Sequence, residues 1–140
     1  MYRARDTRLG REVAIKVSSG RYSERLELEA RAIASLNHPN IATLHDVGDY
    51  QGSLYLAMEY VKGAPLKGPY PIKEAIDYGI QIARGMAAAH DAGVVHRDLK
   101  PANINLQRRV LQPGGRGGSL QHQRRDVRLG LGGGHVQQLE

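Results

Sequence analysis

Residues 96–103 read His96-Arg97-Asp98-Leu99-Lys100-Pro101-Ala102-Asn103, and this octapeptide constrains the chain more than any other part of it. A carboxylate, an ammonium and an amide fall within six positions of one another. They follow a segment with strong helical spacing. Ile72, Ile76, Ile80, Ala83 and Ala87 recur on one face, which predicts a long helix over roughly Ile72–Asp91. Gly93 stands just past its end, as expected of a helix terminator. The polar octapeptide is therefore a loop delivered by a long helix.

Upstream the chain reads as strands, a helix and two more strands. Residues 2–17 alternate as two strands around a turn at Thr7–Arg11, the clearer strand being Glu12-Val13-Ala14-Ile15-Lys16-Val17. Ser23 can cap a helix running to about Leu36, with Leu26, Ala30, Ile33 and Ala34 on one face. Pro39 ends that helix, because the residue before a proline is disfavoured in helix. Ile41–Val47 and Leu54–Tyr60 are strand-like, joined by a loop over 48–52. Residues 61–71, with Gly63, Pro65, Gly68, Pro69 and Pro71, read as a linker.

Two motifs carry a resemblance. His96 to Asn103 fits H-R-D-L-x-x-x-N at every specified position, and Val13-Ala14-Ile15-Lys16 fits the V-A-I-K strand. In this order they resemble the protein kinases, and most closely the bacterial branch of the eukaryotic-like serine/threonine kinases. The resemblance covers residues 2 to about 104. It implies an α+β, protein-kinase-like fold: a partial, β-rich small lobe with one helix, plus the start of a helical large lobe. The implied organisation is 1–60 small lobe, 61–71 hinge and linker, and 72–106 the beginning of the large lobe. It implies transfer of the ATP γ-phosphate to a serine or threonine hydroxyl of a protein, with Mg2+ as the metal.

The resemblance also implies roles. Lys16 would contact the α- and β-phosphates, and Glu29, on the following helix, would pair with it. Asp98 would take or orient the substrate hydroxyl's proton, and Lys100 would stabilise the transferred phosphoryl group. Asn103 would bind magnesium through its amide oxygen, a hard donor. Ala14 would pack on adenine and Met58 would stand at the back of its pocket. The backbone of Glu59 and Val61 would meet the adenine edge. His96 is read as a structural residue of the loop, and Arg97 resembles the arginine that binds a phosphorylated activation segment.

Other parts of the family pattern are missing from the sequence. No glycine-rich loop precedes Lys16, no Asp-Phe-Gly follows Asn103, and the chain has no phenylalanine. At the expected distance, about a dozen residues beyond Asn103, stands Gly114-Gly115-Arg116-Gly117. Two positions after Asn103, where kinases carry an apolar residue, is Asn105. At 140 residues the chain is expected to be an amino-terminal kinase fragment with little or no activity.

Residues 107–140 are rich in Gly, Arg and Gln, and are expected to form a flexible tail without a packed core, most simply explained by a frameshift. The net charge of +6 belongs mostly to that tail. Residues 1–106 hold 14 Lys/Arg and 12 Asp/Glu, and the tail holds 6 Arg and 2 acids. A nearly balanced first part argues against nucleic acid as a partner, and the tail lacks aromatics to stack bases. No apolar run approaches the length of a membrane span. The absence of cysteine fits a reducing compartment, so a cytoplasmic location is expected. The rival reading is a non-catalytic, kinase-like binding module.

Overall fold

The computed structural model describes residues 1–21, 23–108 and 125–130, the side chains of 18–21, 26 and 29 excepted. It contains two antiparallel sheets, each with one helix packed on it. The first sheet has the order β1-β2-β4-β3, from β1 (Tyr2–Asp6), β2 (Arg11–Arg21), β3 (Leu44–Tyr50) and β4 (Ser53–Glu59). The turn after β1 forms because the Asp6 carboxylate accepts the backbone N–H groups of Arg8 and Leu9 at 3.0 and 3.1 Å. β3 and β4 run closer together than their sequence suggests. The expected five-residue loop shrinks to Gln51-Gly52, both at positive φ, as a tight hairpin with right-handed twist requires.

Helix α1 (Glu24–Ala34) covers this sheet. Its Ala30 joins Ala14, Leu44 and Met58 in one buried cluster, with Ile33 packed against it. Ala14 and Leu44 are both register partners of Met58, one on each neighbouring strand. The strand that carries Lys16 is thus fixed at its centre by apolar contacts.

The second sheet has the order β5-β6-β7, from β5 (Gly63–Pro65), β6 (Ile104–Arg108) and β7 (Arg125–Leu129). Helix α2 (Ile72–Asp91) packs across β7. Its C-terminus closes as the sequence implies. Gly93, at φ +75°, donates to the carbonyl of His90, and Val94 donates to that of Ala89. Tyr78 of α2 is buried with Ile104, Leu106, Val127 and Leu129. A third cluster, Leu36, Ile41, Ala89 and Val94, joins the ends of the two helices.

Several expectations are corrected here. The linker 61–71 contains a strand: β5 adds to the edge of β6, a place where Pro65 costs no ladder bond. The tail is not uniformly outside the core. Gln107 and Arg108 complete β6, and β7 lies at 125–129 with Val127 and Leu129 fully buried. Asp126-Val127-Arg128-Leu129 alternates polar and apolar, which suits a strand with one face inward. The rest of the tail, 109–124 and 131–140, lies outside the described residues. Asn105 does not interrupt packing, since the inward residues of β6 are its neighbours Ile104 and Leu106. The helix predicted over Ile72–Asp91 is present, and its isoleucine face points outward. Ile72, Ile76 and Ile80 are 80%, 58% and 46% exposed. The buried face is Tyr78, Gly85 and Ala89, with Ile82 and Met86 beside it.

Candidate active site

The octapeptide His96–Asn103, between α2 and β6, is held by its own first residue. The backbone N–H of Asp98 donates to His96 Nδ1 at 3.3 Å and to the His96 carbonyl at 2.8 Å. Nδ1 is therefore the acceptor, and the other ring nitrogen carries the proton. That nitrogen, Nε2, donates to the carbonyl of Gly130 at 3.1 Å, at the end of β7. His96 is buried, as a structural residue should be. Between them Arg97 takes φ +58°, an unusual value for a side chain-bearing residue, which turns the chain sharply into Asp98.

Asp98, Lys100 and Asn103 come together. Lys100 Nζ lies 2.9 Å from Asp98 Oδ2. Asn103 Nδ2 donates to the same oxygen at 3.1 Å and to the Asp98 carbonyl at 2.8 Å. A short 3-10 turn, Pro101–Asn103, brings Asn103 back under Asp98, with Asn103 N–H donating to the Lys100 carbonyl. The hydrogen bond from Lys100 is the main cause that holds the Asp98 carboxyl below its usual range, with Asn103 adding to it. Asp98 is thus an anion at neutral pH. The Asn103 amide nitrogen is committed to Asp98, which leaves its Oδ1 as the atom able to face a cation.

Lys16 reaches the site from β2. Burial lowers its pKa, the charge of Asp98 raises it, and that of Lys100 lowers it further. The strand lysine and the catalytic-type loop therefore share one electrostatic environment. Glu29 lies on α1, but its side chain is outside the described residues.

Ala14 and Met58 are buried side by side in the first sheet. Glu59 ends β4, and Tyr60 and Val61 lead out of it toward β5. This segment is gripped from two sides. On one, Lys62 Nζ meets Glu12 at 2.6 Å, Arg3 pairs with the same carboxylate, and the Arg3 guanidinium lies 4.8 Å over the Tyr60 ring. On the other, Arg128 of β7 pairs with Glu59 at 3.3 Å and donates to the Ile41 carbonyl at 3.2 Å.

Sequence reasoning missed Arg128, and also Asn40 and Gln81. Asn40 Nδ2 donates to Gln81 Oε1 and to the Val127 carbonyl, both at 3.0 Å, and Val127 N–H donates to Gln81 Oε1 at 2.8 Å. These groups tie the first sheet's loop to α2 and β7. The alternation over 126–129 was the available signal for Arg128. Nothing local to Asn40 or Gln81 announced their partners 87 and 46 residues away.

β7 also returns the chain to the site. Gly130 N–H donates to the Asn103 carbonyl at 2.9 Å. Among the described residues the chain thus returns next to Asn103 at Gly130. The sequence that follows, Leu131-Gly132-Gly133-Gly134-His135-Val136-Gln137-Gln138-Leu139, offers no carboxylate before Glu140. Among the described residues no group of three or more His, Cys, Asp or Glu could hold a metal.

An anionic Asp98 bracketed by an ammonium and an amide, with a strand lysine within electrostatic range, is compatible with phosphoryl transfer. The comparisons agree. Residues 1–112 match the family described as Protein kinase domain. The chain is 43% identical over 121 residues to the serine/threonine-protein kinase PknA of Mycobacterium tuberculosis, covering 74% of this chain and 28% of that protein. It is 40% identical over 116 residues to PrkC of Bacillus subtilis, covering 74% and 18%. A crystal structure of Rad53 1–466 in complex with AMP-PNP superposes with a TM-score of 0.69 and 30% identity, over 75% of this chain and 30% of that one. The chain belongs to the protein kinase family, among relatives named as serine/threonine-protein kinases, and spans less than a third of their length. This family uses ATP. Among the described residues no helix is long and apolar enough to cross a membrane.

Proposed function

We propose that this chain carries the nucleotide-handling half of a protein serine/threonine kinase, and that the 140-residue chain itself binds Mg-ATP weakly without measurable phosphoryl transfer. The observation that carries the reading is the meeting of Asp98, Lys100 and Asn103 in one hydrogen-bonded unit, in electrostatic reach of Lys16.

Each residue has a task its geometry allows. Asp98, held anionic, accepts the proton of a substrate hydroxyl. Lys100, which rests on Asp98 here, is free to swing to the transferred phosphoryl oxygens when a substrate hydroxyl takes over that carboxylate. Lys16 supplies counter-charge to the nucleotide phosphates. Its lowered pKa reflects a partly desolvated ammonium, whose attraction for phosphate is less screened. Ala14 and Met58 offer the apolar surface for adenine, and the backbone at Glu59 and Val61 offers its hydrogen-bonding edge. Asn103 Oδ1 fits a Mg2+ ligand, and Mg2+ would supply charge neutralisation between phosphates. One amide oxygen and a shared Asp98 are a thin donor set, however. The nine residues that follow Gly130 in the sequence contain no carboxylate. Losing one preorganised electrostatic group of this kind commonly costs about 10²–10³ in rate. The substrate is a protein hydroxyl, and Lys100 is the serine/threonine rather than the tyrosine pattern.

The experiment is a phosphorylation assay on a mixed serine/threonine protein substrate with labelled Mg-ATP. No transfer above background is expected from the wild-type chain or from Asp98→Asn. Transfer by the wild type that Asp98→Asn abolishes would overturn the inactive reading and leave the kinase reading standing.

A further inference from the structure

Arg128 joins the second sheet to the strand that ends at Glu59. Its Nη2 lies 3.3 Å from Glu59 Oε1, and its Nη1 donates to the Ile41 carbonyl at 3.2 Å. The two side chains are only 24% and 23% exposed, so solvent screens this pair less than a surface one. The rest of Glu59 is committed as well. Its Oε2 accepts the Thr43 N–H at 3.2 Å, and its own N–H donates to the Thr43 carbonyl at 2.7 Å. Glu59 is thus held through its amide and both carboxylate oxygens. His45 also lies within electrostatic range of Glu59, but burial lowers its pKa from the ordinary value. At neutral pH it is chiefly uncharged and does not stand in for Arg128. Arg11, 3.3 Å from His45, is itself paired with Asp6.

What lies two residues further along the chain gives the pair its importance. Gly130 N–H donates to the Asn103 carbonyl, and the Gly130 carbonyl accepts from His96 Nε2. Two residues of extended chain span about 7 Å. One short length of strand therefore holds Glu59 at one end and the His96–Asn103 loop at the other. That strand is itself framed, since Leu129 N–H donates to the Asn40 carbonyl and Ala42 N–H to the Leu129 carbonyl. Beyond Val61, Lys62 meets Glu12 at 2.6 Å, an anchor supplied by the first sheet. Arg128 supplies the anchor from the second.

We propose that Arg128 is a positioning residue for nucleotide recognition: through Glu59 it holds the Glu59–Val61 backbone at a set distance from the Asp98–Lys100–Asn103 unit, so that base and phosphates are engaged together. The inference rests on the reading of Glu59–Val61 as the adenine edge. Without Arg128 the segment turns more freely, and apparent affinity falls with the fraction of chains in the competent arrangement. The loss falls on ligands that carry a base and spares those with phosphates alone.

NMR titration of the whole chain with Mg-ATP and with Mg-tripolyphosphate, which lacks a base, separates these effects. The wild type should bind Mg-ATP more tightly than tripolyphosphate. Arg128→Met keeps the length of the side chain and removes its charge. It should weaken Mg-ATP about tenfold and leave tripolyphosphate within about twofold. Arg128→Lys should recover part of the loss. Adding Glu59→Gln to Arg128→Met should weaken Mg-ATP no further, because both act through one contact. Equal losses for the two ligands, or an unchanged Mg-ATP affinity in Arg128→Met, overturn the inference and leave the adenine reading standing. A wild type that binds neither ligand, or binds Mg-ATP no more tightly than tripolyphosphate, overturns the adenine reading and this inference with it. If circular dichroism shows Arg128→Met unfolded, Glu59→Gln alone decides, since it keeps an acceptor for the Thr43 N–H. Mg-ATP weakened about threefold with tripolyphosphate unchanged supports the inference, and an unchanged Mg-ATP affinity overturns it.

Discussion

Leu129→Ala tests whether the end of β7 belongs to the core. Leu129 is fully buried and packs with Tyr78, Ile104, Leu106 and Val127. Its backbone also pairs on both sides: with β6, and with the 40–42 segment through Leu129 N–H to the Asn40 carbonyl and Ala42 N–H to the Leu129 carbonyl. The neighbourhood is therefore framed by backbone ladders and cannot collapse freely into a void. Truncations of this kind cost about 2.7–5 kcal/mol, more where the cavity persists. We expect about 3–4 kcal/mol on that scale. Domains hold only about 5–15 kcal/mol in all, so the variant should sit near the edge of folding. Urea titration followed by circular dichroism measures it, and an unchanged m-value shows that stability alone moved. Leu9→Ala is the control. Leu9 is 68% exposed, and its loss should stay within about 0.5 kcal/mol. A Leu129→Ala effect no larger than that of Leu9→Ala would refute the packing of β7, and with it the route by which Gly130 reaches His96 and Asn103.

Three further outcomes follow from the same contacts. Gly85→Ala should destabilise by about 1–3 kcal/mol, because a Cβ there would stand 2.7 Å from Leu129 Cδ1 and 3.2 Å from the Asn40 carbonyl oxygen; Gly79→Ala, with open space around it, should stabilise by about 0.5–1 kcal/mol in the same denaturation assay. Asn40→Ala should cost about 1–3 kcal/mol by stranding the buried Val127 carbonyl and Gln81, and amide exchange of Val127 and Leu129 should accelerate. Glu12, bonded by Lys62 and then Arg3, has its pKa lowered to about 2. Its folded value is below the unfolded one, so its contribution to stability is present above about pH 4.5 and fades as pH falls toward 2. Carboxyl NMR should find Glu12 still ionised at pH 3, and a midpoint near 4.5 would contradict the pairing.

Much of the site was legible because it is local. The octapeptide from His96 to Asn103 closes on itself through bonds spanning two to five residues, so its sequence nearly contains its geometry. The hairpin at Asp6–Arg11 and the end of α2 at Gly93 were legible for the same reason. What was not legible depends on distance along the chain. The isoleucine spacing placed α2 correctly, but spacing alone could not say which face of the helix meets β7. β7 is five residues between glycine-rich stretches, three of them charged. Composition therefore outweighed the alternation of Val127 and Leu129. Arg128 could be placed at Glu59 only once β7 was known to lie beside the loop at Asn40–Ala42.

The most direct measurement of the central claim is a calorimetric titration of Mg-ATP into the wild-type chain and Lys16→Met. It asks whether Lys16 and the Asp98–Lys100–Asn103 unit form one phosphate-binding site. Weak binding by the wild type, reduced tenfold or more in Lys16→Met through loss of phosphate counter-charge, is the expected result. Equal binding by both, or none by the wild type, would contradict it.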